Sequence, residues 1–149
     1  MRAVIQRVTR ARVMVDGRVT GEIDAGLVVL CGVGVNDAED VPAAMAEKIV
    51  HLRIFNDENG KMNRSLKESG GAMLAISQFT LYGDTRGGRR PSFIGAAPAE
   101  KGKELYEEFV RAVEFLGVRV ATGIFQAHMS VELMNDGPVT ILVDSDKTF

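Results

Sequence analysis

The sequence predicts an α+β fold, a single domain over residues 1–149 whose strongly curved, mainly antiparallel, barrel-like sheet is covered by two main helices. Three observations lead there. Short apolar runs bounded by turn signals outnumber helical segments. Only two stretches carry apolar residues at helical spacing, one ending near Leu52 and one opening at Pro98. The 149 residues, 46% hydrophobic and 26% charged, contain no repeat, low-complexity tract or linker, which is the profile of one compact domain.

Taken in order, Val13 and Val15, then Asp16-Gly17, then Val19 read as a hairpin, because Asp-Gly supplies the positive φ angles of a type I′ turn. Leu27 to Val33 is continuously apolar and reads as a strand buried on both faces. Asp37 or Asp40 can cap a helix reaching about Leu52, with Met45, Ile49 and Leu52 on one face and Pro42 tolerated in its first turn. Arg53 to Phe55 then extends before the turn signal Asn56-Asp57-Glu58-Asn59-Gly60. Gly70-Gly71 precedes a strand from Ala72 to Leu81 that changes character at Ser77. Pro98 opens the clearest helix, with Leu105, Phe109, Val113 and Leu116 in one stripe and Gly117 as its stop. Val118 to Thr122, a break at Gly123, and the alternation Met129, Val131, Leu133 lead to a corner at Asn135 to Pro138 and a last strand, Val139 to Val143.

Composition narrows the function. The longest apolar stretch, Leu27 to Val35, is interrupted by glycines and falls short of the ~18 residues a membrane helix requires. Arg2, Gln6, Arg7 and Arg10 stand where a signal peptide needs an apolar core, so the expected location is the cytoplasm. Cys31 is the only cysteine, which excludes an intrachain disulfide and a cysteine-based zinc site, and its apolar setting reads as core. With two histidines, His51 and His128, no multi-histidine metal site is expected, and each reads as a surface or packed imidazole rather than a general base. The net charge of −2 argues against coating nucleic acid by general electrostatics, and no DNA partner is expected. Local patches differ: Arg2, Arg7, Arg10, Arg12 and Arg18 face one acid, Asp16, and Arg86, Arg89 and Arg90 crowd a glycine-rich loop. Such patches suit contact with a phosphate backbone, or equally the support of loops and subunit contacts.

The familiar motifs fail. Gly32-Val33-Gly34 lacks the third glycine of the dinucleotide fingerprint, Asp37 standing in its place, and Gly102-Lys103 lacks the P-loop glycine, since residue 97 is alanine. No Gly-x-Ser-x-Gly elbow, His-Glu-x-x-His pair or Cys/His arrangement exists. Two segments remain. Ser77-Gln78-Phe79-Thr80-Leu81 offers two hydroxyls, an amide and free backbone N–H groups, which can bind a ribose or stabilise an oxyanion, or simply end an edge strand. Asn135-Asp136-Gly137-Pro138-Val139-Thr140 contains a Gly-Pro step, where a cis bond lies only about 0.5–1 kcal/mol above trans. A rigid, backbone-lined pocket is the expected product, against the plainer alternative of a tight trans turn.

These two motifs, in this order, resemble those of the D-aminoacyl-tRNA deacylase family, also called D-tyrosyl-tRNA deacylase. The likeness runs nearly end to end: Ile5-Gln6-Arg7-Val8, Ala11-x-Val13, Arg53-Ile54-Phe55, Gly60-Lys61-Met62-Asn63, Arg90-Pro91-Ser92-Phe93 and Gly123-x-Phe125-x-Ala127-x-Met129 also fit. Gln126 and His128 depart from the commoner small residues, and the acidic end, Asp144 to Phe149, lies outside the pattern and reads as frayed. The resemblance implies a homodimer that hydrolyses the ester joining a D-amino acid to the terminal adenosine at the 3′ end of an aminoacyl-tRNA, and that removes glycine mischarged onto tRNA for alanine. It implies no metal and no organic cofactor. Ser77, Gln78, Phe79 and Thr80 would form the catalytic site. Gly137 and Pro138 would form a cis corner entering the partner subunit's pocket, held by Arg7, with Asn135, Thr140, Phe125 and Met129 also contacting substrate. Thr80 is one candidate nucleophile; the substrate's own 2′-hydroxyl is the alternative activator, and the absence of a His, Lys or Asp within a few residues of Thr80 favours it. The rivals are a non-catalytic RNA or nucleotide-binding module and a threonine peptidase, the latter disfavoured by the internal position of Thr80.

Overall fold

A computed structural model describes residues 1–149. One six-stranded sheet organises the chain: β1 (Arg2–Val15), β2 (Arg18–Ile23), β3 (Gly26–Gly32), β6 (Ala72–Ser77), β7 (Val120–Thr122) and β8 (Ser130–Asp144). A two-stranded ribbon, β4 (Phe55–Asn56) with β5 (Met62–Arg64), stands apart. The helices are α1 (Val41–Val50), the one-turn α2 (Leu66–Ser69) and α3 (Ala99–Phe115).

β1 is the hub. One edge pairs antiparallel with β3 through its first half and with β2 through its second, while the other edge pairs with β8 along its length. β6 then adds parallel to β3, and β7 parallel to β6. The sheet is therefore mixed, its antiparallel pairings in a bare majority. Parallel pairing follows from α1 and α3, which supply the crossovers that parallel neighbours require. The curvature brings β2 close to β7: a Cβ on Gly21 would lie 2.5 Å from the Thr122 carbonyl oxygen, so the barrel is nearly closed.

Strand alternation divides the core in two. Ala3, Ile5, Leu27, Val29, Cys31, Met73 and Ala75 face α1 and α3, where Ile49, Phe109 and Val113 complete the larger cluster. Val8, Ala11, Val13, Val28, Leu74 and Ile76 point the other way and fill the barrel. This double burial explains the unbroken apolar runs of β3 and β6. The Tyr106 hydroxyl donates to the Ala75 carbonyl at 2.9 Å and fixes α3 on β6.

The hairpin forms at Asp16-Gly17, with φ of 49° and 76°. Several expectations are corrected. The strand after Gly71 ends at Ser77, not Leu81, and Phe79–Tyr82 is a 3₁₀ turn. β3 ends at Gly32, so the last rung of the ladder is the Gln78 amide on the Cys31 carbonyl at 2.8 Å; beyond it the Leu81 and Gly83 amides donate to the Gln78 and Thr80 carbonyls. Asp40 occupies the N-cap of α1 without a side-chain bond, and α1 stops at Val50. Asp37 is engaged elsewhere: it pairs with the buried Met1 ammonium at 2.6 Å and accepts from the Gly34 amide. Asn135 to Pro138 does not separate two strands, since β8 passes through it with shifts of register against β1. The acidic end is held rather than frayed: Asp144 is buried and accepts from Arg2, Thr148 and the Asp146 amide, and the Ser145 amide donates to the Met1 carbonyl. α2 escaped the sequence reading although its capping box, Ser65 with Glu68, was present as a signal.

Candidate active site

The parallel strands β3 and β6 end side by side, and the chain leaving each one turns away. Between these departures lies a pocket of about 580 Å³, a size suited to a small organic ligand. Ile76, Ser77, Gln78 and Phe79 form one wall. Ala97, Ala99 and Gly102, at the start of α3, form another, and Phe125 to Met129 with Val131 form the third. Phe125 is packed from behind by Tyr106, with ring centroids 6.1 Å apart, and the Gln126 backbone holds a left-handed φ of 64°. Met129 fits because residue 123 is glycine: a Cβ there would stand 2.3 Å from its sulfur.

Of the residues expected to act, Ser77, Gln78, Phe79, Phe125 and Met129 line this pocket. Thr80 is exposed beside it, and its hydroxyl accepts a hydrogen bond from the Gln78 side-chain amide. His128 also lines the pocket and is the only titratable side chain to do so, a placement the sequence reading missed. No carboxylate stands in the lining to orient its ring, as a catalytic imidazole commonly needs. Cys31 is buried below, and burial pushes its thiol up to about 12.

The remaining candidates form a second group outside this pocket, around the middle of β8. The Gly137–Pro138 bond is cis, and both residues are exposed. Gly137 has φ of +117°, and a Cβ on it would meet Val139 at 2.8 Å and the Arg7 Nη2 at 3.0 Å. Arg7 is buried; its Nη1 donates to the Ile54 carbonyl at 2.6 Å, and its Nε lies 2.9 Å from Asp136 Oδ2. Arg7 thus ties β1, the segment before β4 and the β8 corner together. The Asn135 Oδ1 is buried without a partner, and the exposed Thr140 hydroxyl donates to Gln6 Oε1. Within one chain the two groups stay separate.

A further concavity of about 660 Å³ between β1, β2 and β8 carries Arg10, Arg12 and Arg119 against Glu22, Asp24 and Glu132. Its charges offset one another, Arg12 pairing with Glu132 at 2.7 Å, and it contains none of the candidate residues.

The chain is similar to known proteins along nearly its whole length. Residues 4–144 match the family model described as D-Tyr-tRNA(Tyr) deacylase. A D-aminoacyl-tRNA deacylase of Koribacter versatilis (strain Ellin345) is 61% identical over 149 residues, covering the whole of both chains. Among solved structures, one named c-Myc DNA Unwinding Element Binding Protein superposes with a TM-score of 0.91 at 38% identity, covering 97% of this chain and 99% of that one. Another, described as a probable eukaryotic D-amino acid tRNA deacylase, superposes with a TM-score of 0.82 over 95% of this chain and 97% of that one; at 18% identity the likeness is one of fold.

Proposed function

The chain belongs to the D-Tyr-tRNA(Tyr) deacylase family, and from that premise we propose that it is an enzyme that hydrolyses the ester bond of D-aminoacyl-tRNA, releasing free amino acid and tRNA. The observation that carries this reading is full-length identity of 61% to a D-aminoacyl-tRNA deacylase, with Ser77, Gln78 and Phe79 lining a ligand-sized pocket.

The pocket takes the terminal adenosine and its aminoacyl group. Ser77 and the Gln78 amide hold ribose and carbonyl, and the Phe79 and Thr80 backbone N–H groups, which open the 3₁₀ turn, face the oxygen that gains charge in the tetrahedral intermediate. Water adds to the ester carbon, the bond to the ribose oxygen breaks, and that oxygen leaves with a proton. The substrate's 2′-hydroxyl activates the water, because the partner of the Thr80 hydroxyl is an amide and an amide is no base. Positioning of the labile ester supplies much of the acceleration; in favourable systems it contributes ~7–11 kcal/mol.

The working form is a homodimer. The outer edge of β8 has no strand partner, and Leu133, Met134 and Leu142 of this strand are exposed. A long unpaired edge with apolar side chains is a surface that natural proteins cover. A second copy would bring the exposed Gly137-Pro138 corner, braced by Arg7 and Asp136, into its neighbour's pocket. Backbone atoms of that corner cannot rotate aside, so an L-residue's β-carbon collides with them while a D-residue points into open space. Glycine has no β-carbon, so glycine mischarged onto tRNA for alanine is hydrolysed too. We place the reaction in the cytoplasm, where charged tRNA is used.

Incubation of the purified protein with D-tyrosyl-tRNA, with detection of free tyrosine, tests the reading. Catalytic release supports it, whereas binding of the charged tRNA without release would favour a non-catalytic RNA-binding module.

A further inference from the structure

The segment between Asp84 and Phe93 inverts the charge of the molecule. It holds Arg86, Arg89 and Arg90 against the single Asp84, in a chain whose net charge is −2. Asp84 is consumed by Arg86, whose Nε and Nη2 donate to its two carboxylate oxygens at 2.9 and 2.7 Å. Arg89 and Arg90 are exposed and enter no ion pair. The loop is rooted: Asp84 and Ser92 exchange both backbone hydrogen bonds at 2.8 Å, and the Ala96 amide donates to the Phe93 carbonyl at 3.0 Å. The two free arginines are therefore presented from a fixed base.

That base ends on an aromatic ring. Phe93 is 38% exposed and meets Phe79 edge-on, with centroids 5.2 Å apart and planes at 68°. Phe79 lines the pocket and Phe93 does not, so Phe93 is an exposed ring one contact beyond the lining. It stands three positions along the chain from Arg90, a distance of at most roughly 11 Å. Free cations beside an exposed ring are the elements that hold single-stranded nucleic acid: the charges follow phosphates, and the ring stacks on a base. A duplex offers no free base face to such a ring.

We propose that the Asp84–Phe93 loop is a track for the unpaired 3′ strand of the substrate, in which the Phe93 ring stacks on the base preceding the terminal adenosine while Arg89 and Arg90 hold the phosphates beyond it. This rests on the deacylase reading, which puts the terminal adenosine in the pocket.

Three D-tyrosyl esters test it: of full-length tRNA, of cytidylyl-adenosine and of adenosine alone. In the double variant Arg89→Gln/Arg90→Gln, kcat/KM for tRNA is expected to fall about tenfold at low salt. Its log–log salt slope should flatten by roughly 1.4, at about 0.7 per phosphate contact on a single strand. Phe93→Leu should erase an advantage of about fivefold or more of the dinucleotide ester over the adenosine ester. Both variants should keep the wild-type rate on the adenosine ester and the wild-type sedimentation coefficient. Unchanged tRNA kinetics and salt slope, or equal losses on all three esters, would overturn the inference while leaving the deacylase reading in place. Dissociation of the variants would assign these residues to the subunit contact and overturn it as well. A wild-type protein inactive on every ester would defeat the deacylase reading; fluorescence anisotropy with an uncharged single-stranded tRNA 3′ end then decides the track separately, since its affinity should still fall in the double variant and an unchanged affinity would overturn the track.

Discussion

The Thr80 hydroxyl accepts a hydrogen bond from the Gln78 amide, and an amide cannot take its proton. Thr80→Ala is therefore expected to slow turnover by about 2- to 13-fold, the worth of one hydrogen bond at ~0.5–1.5 kcal/mol, whereas loss of a true nucleophile costs on the order of 10⁴ or more. Steady-state kinetics measure the difference, and an aminoacyl ester trapped on Thr80 would contradict it. Cys31 offers a second check. Burial is the main cause that lifts its thiol from an ordinary 9.0 to about 12. Iodoacetamide at pH 8.5 should leave it unmodified in the native protein and alkylate it in guanidinium. Between those two values the unfolded chain loses the proton first, so this group's contribution is intact below pH 9 and is lost as pH rises towards 12. A Cys31→Ala protein should show a shallower alkaline decline in thermal midpoint than the parent. His128 marks what residue-level reading of a sequence leaves out: its place in the pocket depends on the turn at Phe125-Gln126, which no spacing rule anticipates.

The elements that frame the pocket depend on strands that approach closely. A Cβ on Gly26 would stand 1.9 Å from the Ala72 carbonyl oxygen, where β3 and β6 begin their parallel pairing, and backbone cannot turn aside. Gly26→Ala is expected to destabilise by about 3 kcal/mol, lowering Tm by roughly 6–12 °C in calorimetry. A shift under 2 °C would show that the pairing yields. Elements with strong local signals were readable beforehand: the Asp16-Gly17 hairpin, the doubly buried β3, and α3 with its stripe and its stop at Gly117. The 3₁₀ turn was not, because Phe79 to Leu81 is apolar and polar by turns as a strand would be. What ends β6 at Ser77 is the end of its neighbour β3 at Gly32, a fact of pairing between segments far apart in sequence. The parallel order of β6 and β7 is likewise set by the crossover helices and not by either strand.

At the scale of the molecule, the residues expected to form one site fall into two groups that a single chain keeps apart. Ser77 to Thr80 with Phe125 and Met129 gather at the pocket, while Arg7, Asn135, Gly137, Pro138 and Thr140 gather at β8. The family resemblance already implies that the Gly137-Pro138 corner serves a partner's pocket; what the motifs leave unplaced is that Asn135 and Thr140 go with that corner while Phe125 and Met129 stand at the pocket. A homodimer joining the two through the open edge of β8 should sediment at twice the chain mass of 16.1 kDa at assay concentration. A fully active species at the single mass would rule out a shared site. The proposed reaction discriminates among aminoacyl-tRNAs by the chirality of the amino acid. It is tested most directly by single-turnover deacylation of D-tyrosyl-, L-tyrosyl- and glycyl-tRNA in parallel. Rapid release from the D- and glycyl-tRNAs, with L-tyrosyl-tRNA no faster than its spontaneous hydrolysis, is the expected result; equal rates on D- and L-tyrosyl-tRNA would contradict it.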